Sequence, residues 1–253
     1  MHSIDEVVAA MRSQEWGITE PQGRMLFDFI LREKPRSILE LGCGIGTSAY
    51  YMAAALEHLG NGRVLSIDNN RDLPAWVSRS FAKIDPTLAR FHELMATETS
   101  YNNELMNFIN SQTRNGRCEP CFDFCFIDGA HTWEVDSCAF FLAEKLLTPG
   151  GWMLFDDLTW TIAGSAEAMK HLPEGKEATE LMRTPQVSRI FELCVTQHPG
   201  FDSFTITDDW GWARKKARIE QAPSATVTRL FTRNNGSVAR LRRLGLRLLT
   251  KMR

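Results

Sequence analysis

The sequence predicts an α/β protein: a doubly wound, mostly parallel sheet of seven strands that closes with an antiparallel hairpin. Three observations lead there. Short apolar runs alternate with stretches of helical periodicity, the signature of repeated β–α units. The first run, residues 37–41, opens into a turn with glycine at alternate positions, Gly42, Gly44 and Gly46. Three later runs end in acids, Asp68, Asp128 and Asp156-Asp157, and open α/β sheets bind ligands beyond the carboxyl ends of their strands.

The elements follow in order. Residues 4–13 read as a short amphipathic helix and 22–33 as a second, with Thr19 as its N-cap and Pro21 in its first turn. Lys34-Pro35 stops it before the first strand and the glycine turn. Helical residues 47–56 leave that turn. Asn61-Gly62 turns the chain into a second strand, 63–68, followed by a helix at 72–83 and a weak third strand at 89–95. Thr97 then reads as an N-cap, as part of a binding loop, or as both. Residues 101–113 read as a helix, 115–120 as a loop, and 121–127 as a fourth strand, apolar on both faces apart from Asp123, as a buried parallel strand should be. A helix at 132–147 ends at Pro149-Gly150-Gly151, and 152–155 form the fifth strand. The polar stretch 158–184 has only a short helical piece near 165–171 and reads as a candidate lid. A helix at 185–198 and strands at 201–207 and 210–214 complete the hairpin.

This gives three regions: N-terminal helices in 1–34, the sheet domain in 35–217, and a tail in 218–253. The tail carries nine Lys/Arg and one acid, so a formal charge of −2 for the 253 residues splits into +8 for the tail and −10 for the rest. Val238, Leu241, Leu244, Leu248 and Leu249 fall at helical spacing among the arginines. Such an amphipathic segment could lie on an anionic membrane, meet an acidic partner or nucleic acid, pack on another subunit of a homo-oligomer, or pack on its own domain. A hydrophobic content of 43% suits a soluble globular chain, and no apolar run approaches the ~20 residues of a membrane span. Residues 1–12 do not read as a secretory signal, and the six cysteines lack disulfide-scaffold spacing, so a reducing, cytoplasmic setting is expected. Cys118-x-x-Cys121 with Cys125 invites zinc, but a second CxxC is missing and two of the thiols fall in a buried strand.

The glycine turn does not fit the dinucleotide fingerprint, since Thr47 stands where a third glycine would be needed counting from Gly42. The run Glu40-Leu-Gly-Cys-Gly-Ile-Gly46 fits E-x-G-x-G-x-G. It resembles the first motif of the class I S-adenosylmethionine (SAM) dependent methyltransferases, a Rossmann-like family. In nucleoside-binding α/β folds an acid at the position of Asp68 takes hydrogen bonds from ribose hydroxyls; its plain alternative is a helix cap. The resemblance implies that SAM lies against Glu40, Gly42, Gly44, Gly46, Ser48, Asp68 and Asn69, with Thr97 and Glu98 flanking its adenine and Asp128 at its far side.

Asp128, Asp156 and Asp157 converge if the fourth and fifth strands are neighbours, about 4.8 Å apart. Three unpaired carboxylates so close would raise one another's pKa values, and a divalent cation resolves that conflict. Oxygen ligands suit Mg²⁺, Mn²⁺ or Ca²⁺ rather than zinc. Alternatively one of the pair caps the next segment. His131, three residues after Asp128, suits general-base work near neutrality, or else caps its helix. Trp133 walls the pocket or packs. Asp128-Gly-Ala-His131 with Phe155-Asp-Asp157 resembles the metal-dependent O-methyltransferases, especially the bacterial branch acting on sugars and other natural products. That resemblance covers about residues 35–214. It implies Mg²⁺ on Asp128, Asp156 and Asp157, His131 and Asp128 as catalytic groups, and O-methylation of a small sugar, polyol or diol-bearing natural product. The alternatives are a metal-independent methyltransferase and a non-catalytic SAM-binding scaffold recruited by its tail. Methylation of nucleic acid is not supported, because the body is acidic and Asp156-Asp157-Leu158 lacks the motif it needs.

Overall fold

In a computed structural model, described over residues 1–11, 17–69, 87–170 and 177–217, seven strands form one sheet. They are β1 (Ser37–Leu41), β2 (Arg63–Asp68), β3 (His92–Ala96), β6 (Phe122–Ile127), β7 (Leu147–Phe155), β8 (Phe201–Thr207) and β9 (Trp210–Lys215), in the order β3-β2-β1-β6-β7-β9-β8. The first five are parallel. β9 runs antiparallel to β7 and β8 antiparallel to β9. The doubly wound sheet with its terminal hairpin is the architecture the sequence predicts. The expected helix at 72–83 and the basic tail lie outside the described residues. A compact unit spans Met1–Ile219. No helix among the described residues is long and apolar enough to cross a membrane.

The period-2 alternation of the strands divides the core in two. Ile38, Val64, Phe124, Phe126, Leu154, Trp210 and Trp212 face the helices α1 (Ile4–Met11), α2 (Glu20–Glu33) and α3 (Thr47–Leu59). Leu39, Leu41, Ile67, Cys125, Ile127, Met153 and Phe155 face α4 (Tyr101–Gln112), α5 (Trp133–Leu146) and the helical stretch from Gln186. Apolar side chains on both faces explain why these strands read as near-continuous hydrophobic runs. Asp123, the polar exception, sits at the strand's opening, where Oδ2 accepts the amides of Arg36 and Ser37 (2.9 and 3.2 Å) and so ties β6 to the start of β1.

Several boundaries depart from the sequence reading, each for a local reason. Thr19 and Gln22 form a reciprocal capping box, so α2 begins at Glu20. Residues 115–120 are not a plain loop: Asn115 and Gly116, with φ of 52° and 76°, turn a two-stranded ribbon of β4 (Thr113–Arg114) and β5 (Arg117–Cys118). Residues 88–91 form a 3₁₀ turn, and β3 starts only at His92. β7 starts at Leu147, because Pro149-Gly150-Gly151 is absorbed as an irregularity between the pairs Phe122–Leu147 and Phe124–Trp152. Ser100, not Thr97, caps α4, its hydroxyl accepting from Asn102 N. The helix expected over 185–198 changes to a π-turn at Phe191–Val195.

The hairpin is anchored by Lys215. Its ammonium is buried and donates to the carbonyls of Glu144 and Leu147 (2.5 and 2.9 Å), beside the Glu144 carboxylate at 3.0 Å. It therefore satisfies orphan carbonyls at the C-terminal end of α5, where a cation also opposes the helix dipole. Lys215→Met should cost about 3 kcal/mol in urea denaturation, since it leaves a largely buried carboxylate and two carbonyls unpaired.

Candidate active site

The ladder between strands continues one residue past their ends. Gly42 N bonds Ile67 O, Asp128 N bonds Leu41 O, and Asp156 N bonds Ile127 O (2.9, 2.9 and 3.1 Å). These bonds bring the glycine turn and the acids to one edge of the sheet, around a cavity of about 530 Å³. Its walls include Gly17, Ile18, Cys43, Gly44, Ser48, Asp68, Asn69, Tyr101, Asp128, His131, Asp156, Asp157 and Trp160.

The glycines have distinct duties. A Cβ on Gly42 would stand 1.9 Å from the Asp128 carbonyl, so this glycine lets β1 and β6 close together at their ends. At Gly44, φ is 49° and a Cβ would meet nothing within 4 Å; the backbone there is bare toward the cavity. Asp68 holds the turn, its Oδ2 accepting the amides of Cys43 (2.7 Å) and Gly44 (3.2 Å). Asp68 and Asn69 both line the cavity, in keeping with a hydroxyl-binding role.

Glu40 lies under the turn rather than on the cavity wall. It is fully buried, with Ser48 Oγ donating to one oxygen (2.5 Å) and Ser66 Oγ to the other. Ser66 also meets His92 Nε2 at 2.8 Å. Burial pushes Glu40 up to about 7 and His92 down to about 4. Gly46, Thr97 and Glu98 are likewise off the cavity wall: Gly46 starts α3, Thr97 is buried and Glu98 exposed. None of these four expected cofactor residues lines the cavity: Glu40 forms the floor of the turn, Gly46 precedes α3, and Thr97 and Glu98 follow the end of β3.

The acidic edge is brought together as expected, with a change in its membership. Ligand atoms of Asp128, His131 and Asp157 all lie within 4.8 Å of one another. His131 Nε2 is 3.5 Å from Asp157 Oδ2 and 4.0 Å from Asp128 Oδ1. Asp156 stands behind them, 8% exposed, its Oδ1 accepting both Asp157 N and Trp210 Nε1 at 2.7 Å. Burial raises Asp128 well above the carboxylate range, with Asp156 and Asp157 adding to it. Burial and Asp157 carry Asp156 to about 7. One carboxylate set and an imidazole, open to a cavity, place oxygen ligands of the kind hard cations take beside a nitrogen able to accept a proton.

Two residues of this edge take left-handed backbone, His131 at φ 53° and Asp157 at φ 59°. Such positions cost on the order of 1–3 kcal/mol and persist only where neighbours enforce them. Around His131 the enforcers are Tyr101 and Asp136. Ala130 N donates to Tyr101 Oη (3.1 Å), Tyr101 donates to Asp136, and Asp136 accepts Thr132 N (3.2 Å). A Cβ on Gly129 would collide with the Tyr101 ring at 2.6 Å, so the glycine of Asp-Gly-Ala-His makes room for it. Trp160, from the stretch read as a lid, packs on the His131 ring with centroids 5.1 Å apart. Trp133 is half-buried against the second core, its amide held by Gln186 (2.8 Å). The sequence reading missed Tyr101, Asp136, Ser66, His92 and Trp210, which carry no motif and meet the site only through register and packing. The thiols of Cys118, Cys121 and Cys125 are raised by burial, Cys121 to about 11, and do not gather with other ligand atoms among the described residues.

Residues 39–158 match the model of a family described as a methyltransferase domain. Among solved structures the chain is similar to the O-methyltransferase TomG of Streptomyces achromogenes, involved in tomaymycin synthesis and solved with SAM. The two share 21% identity over 84% of this chain and 89% of that one, with a TM-score of 0.56. An O-methyltransferase of Bacillus cereus in complex with SAH is 20% identical over 84% and 90%, TM-score 0.59. A putative caffeoyl-CoA O-methyltransferase of Staphylococcus aureus is 17% identical over 85% and 93%, TM-score 0.60. A search of curated proteins finds no match.

Glu40 gives a pH test. A glutamate ordinarily ionises near 4.5, whereas folded Glu40 holds its proton to about 7. The folded state therefore binds more protons across that interval. The stability this proton contributes is complete below about pH 4.5 and is lost as pH rises through about 7. Glu40→Gln cannot ionise. In urea denaturation the variant should gain on the wild type as pH rises from about 5 to about 8.

Proposed function

We propose that this chain, whose residues 39–158 match a methyltransferase-domain model, is a SAM-dependent O-methyltransferase. In this reading it acts on a hydroxyl of a small sugar, polyol or diol-bearing natural product, with help from Mg²⁺ or Mn²⁺. The observation that carries it is one cavity lined by a bare glycine turn with Asp68 and by Asp128, His131 and Asp157, whose ligand atoms fall within 4.8 Å. The likeness to TomG, an O-methyltransferase of tomaymycin synthesis, supports oxygen as the methylated atom and a natural product as the acceptor.

The residues fit SAM. Gly44 lets a ligand approach the backbone, and Asp68 and Asn69 offer polar groups suited to ribose hydroxyls. They also fit a hard divalent cation, because confined carboxylates with raised pKa values need a counter-charge. Asp128, Asp156 and Asp157 would hold that cation, with His131 beside them. When bound, it supplies a Lewis acid that lowers the pKa of the acceptor hydroxyl.

The chain's own groups do the rest. His131 takes the hydroxyl proton on Nε2, and Asp157 at 3.5 Å stabilises the imidazolium that results. The acceptor oxygen directs its electron pair at the methyl carbon of SAM. The carbon–sulfur bond breaks and the sulfur leaves as a neutral thioether. Trp160 and Ile18 line the cavity and exclude water, so the sulfonium is attacked by the acceptor rather than by solvent.

Calorimetric titration with SAM, then with Mg²⁺ into the SAM complex, tests the proposal, followed by an acceptor screen with and without EDTA. Uptake of both and EDTA-sensitive methylation of a diol or sugar support it. SAM binding without Mg²⁺ uptake transfers the acids to direct substrate positioning in a metal-independent enzyme. Two variants separate the roles. Asp157→Ala should abolish metal-dependent turnover while SAM affinity persists, and a parallel loss of SAM affinity would count against the cation role. Asp68→Ala removes both a hydroxyl-binding group and the brace of the glycine turn, so SAM binding should weaken by about 1–3 kcal/mol in the same calorimetry.

A further inference from the structure

Trp210 touches the acidic edge from outside the cavity. It opens β9, is completely buried, and packs edge-on to Phe126 and Trp212 with centroids 5.7 and 5.8 Å apart. The pair Phe155–Gly211 in the antiparallel ladder sets the next residues, Asp156 and Trp210, side by side. The indole Nε1 donates to Asp156 Oδ1 at 2.7 Å. The same oxygen accepts the Asp157 amide at 2.7 Å. Two donors on one oxygen fix the carboxylate's rotation and leave Oδ2, which no donor of the described residues reaches, as the oxygen available to the cavity.

We infer that Trp210 is a positioning residue of the acidic edge: it aims Asp156 Oδ2 into the site without neutralising the carboxylate. The inference rests on the reading of the acids as a cation site. The chemistry of the donor carries it. An ordinary brace for a carboxylate beside two others would be Lys or Arg, whose charge would satisfy the cluster and displace a cation. An indole N–H only donates, has no positive charge and does not titrate in the working range. It opposes the rotation that repulsion from Asp128 and Asp157 would drive, yet leaves the negative charge intact. Its burial within an aromatic cluster keeps water from taking its place.

The test uses the 253-residue chain, SAM, and Mn²⁺ as probe, with free Mn²⁺ counted by electron paramagnetic resonance. Trp210→Phe keeps a ring and removes the N–H. Mn²⁺ binding should weaken at least about tenfold, the usual cost of losing an outer partner of a metal ligand, while SAM affinity holds within about twofold. Trp212→Phe, which alters the same cluster without touching the acids, should leave Mn²⁺ affinity unchanged. If Trp210→Phe does not fold, replacing the Trp210 indole by its benzothiophene isostere retains the volume and removes only the N–H, and the same weakening is expected. Wild-type Mn²⁺ affinity in the isostere, or an equal loss in Trp212→Phe, overturns the role of Trp210 alone. A wild-type protein that takes up SAM but no Mn²⁺ overturns the cation reading and this role together.

Discussion

Asp128, Asp156 and Asp157 are held at the ends of two adjacent strands, where the ladder allows them no retreat. Asp128 N and Asp156 N are both hydrogen-bonded into the sheet, so the backbone is fixed before the side chains can separate. Burial raises the pKa of each of the three, and mutual repulsion adds to it for Asp128 and Asp156. Asp68 adds a fourth acid to the same cavity, and no Lys or Arg is among the described residues that line it. A fold that only needed stability would not assemble such a cluster. The surrounding residues make sense as the means of keeping it assembled.

Those means are mostly backbone. Consecutive residues of an extended strand point to opposite faces, so Asp156 and Asp157 could not both address one cavity if β7 simply continued. The left-handed φ of Asp157 breaks that alternation, and its amide folds back on Asp156 Oδ1. The left-handed φ of His131 does the same for the other wall, between Ala130 and Thr132, whose amides are pinned by Tyr101 and Asp136. Beneath the third wall, Asp68 ties down the glycine turn from above while Glu40, Ser48 and Ser66 hold it from below. The site thus rests on hydrogen bonds whose donors and acceptors come from β1, β2, β9, α3, α4 and α5 and from the residues just past β6 and β7.

What the sequence disclosed is what repeats or terminates locally. Short, near-continuous apolar runs bounded by glycines and acids marked the strands, and each acid at a strand's end was legible because the end of an apolar run is legible. The convergence of Asp128, Asp156 and Asp157 was expected from placing the fourth and fifth strands side by side; that His131 rather than Asp156 joins Asp128 and Asp157 in the tightest group was not. Register was not legible. Glu40 meets Ser66 because the two are paired residues on neighbouring strands, and Asp156 meets Trp210 because Phe155 pairs with Gly211. Neither Ser66 nor Trp210 has a sequence neighbour that announces it. Glu40 was read as a cofactor contact from its place in the glycine motif, yet its full burial makes it a support for that turn. The Asn115-Gly116 turn was present in the sequence and went unread, because the strands on either side are only two residues long.

The hairpin links these observations. By position it closes the sheet, and a strand that merely covered an edge could carry any apolar residue at its start. Its turn and first residue instead grip the acidic edge at successive points. Asp209 accepts the amides of Leu158 and Thr159 through its carbonyl and carboxylate (3.0 and 2.6 Å), and Trp210 takes Asp156. Five consecutive residues, 156–160, therefore leave β7 with three of them fastened to residues 209–210, and they deliver Trp160 onto His131. At the other end of β9, Lys215 locks the strand to the C-terminal end of α5, the helix that begins just after His131. One strand, buried from Trp210 to Ala213 and again at Lys215, thus references both walls of the acidic edge to a single line. A shift of β9 along its register would move Asp156 and the path to Trp160 together, which is why the last strand of the sheet belongs to the site.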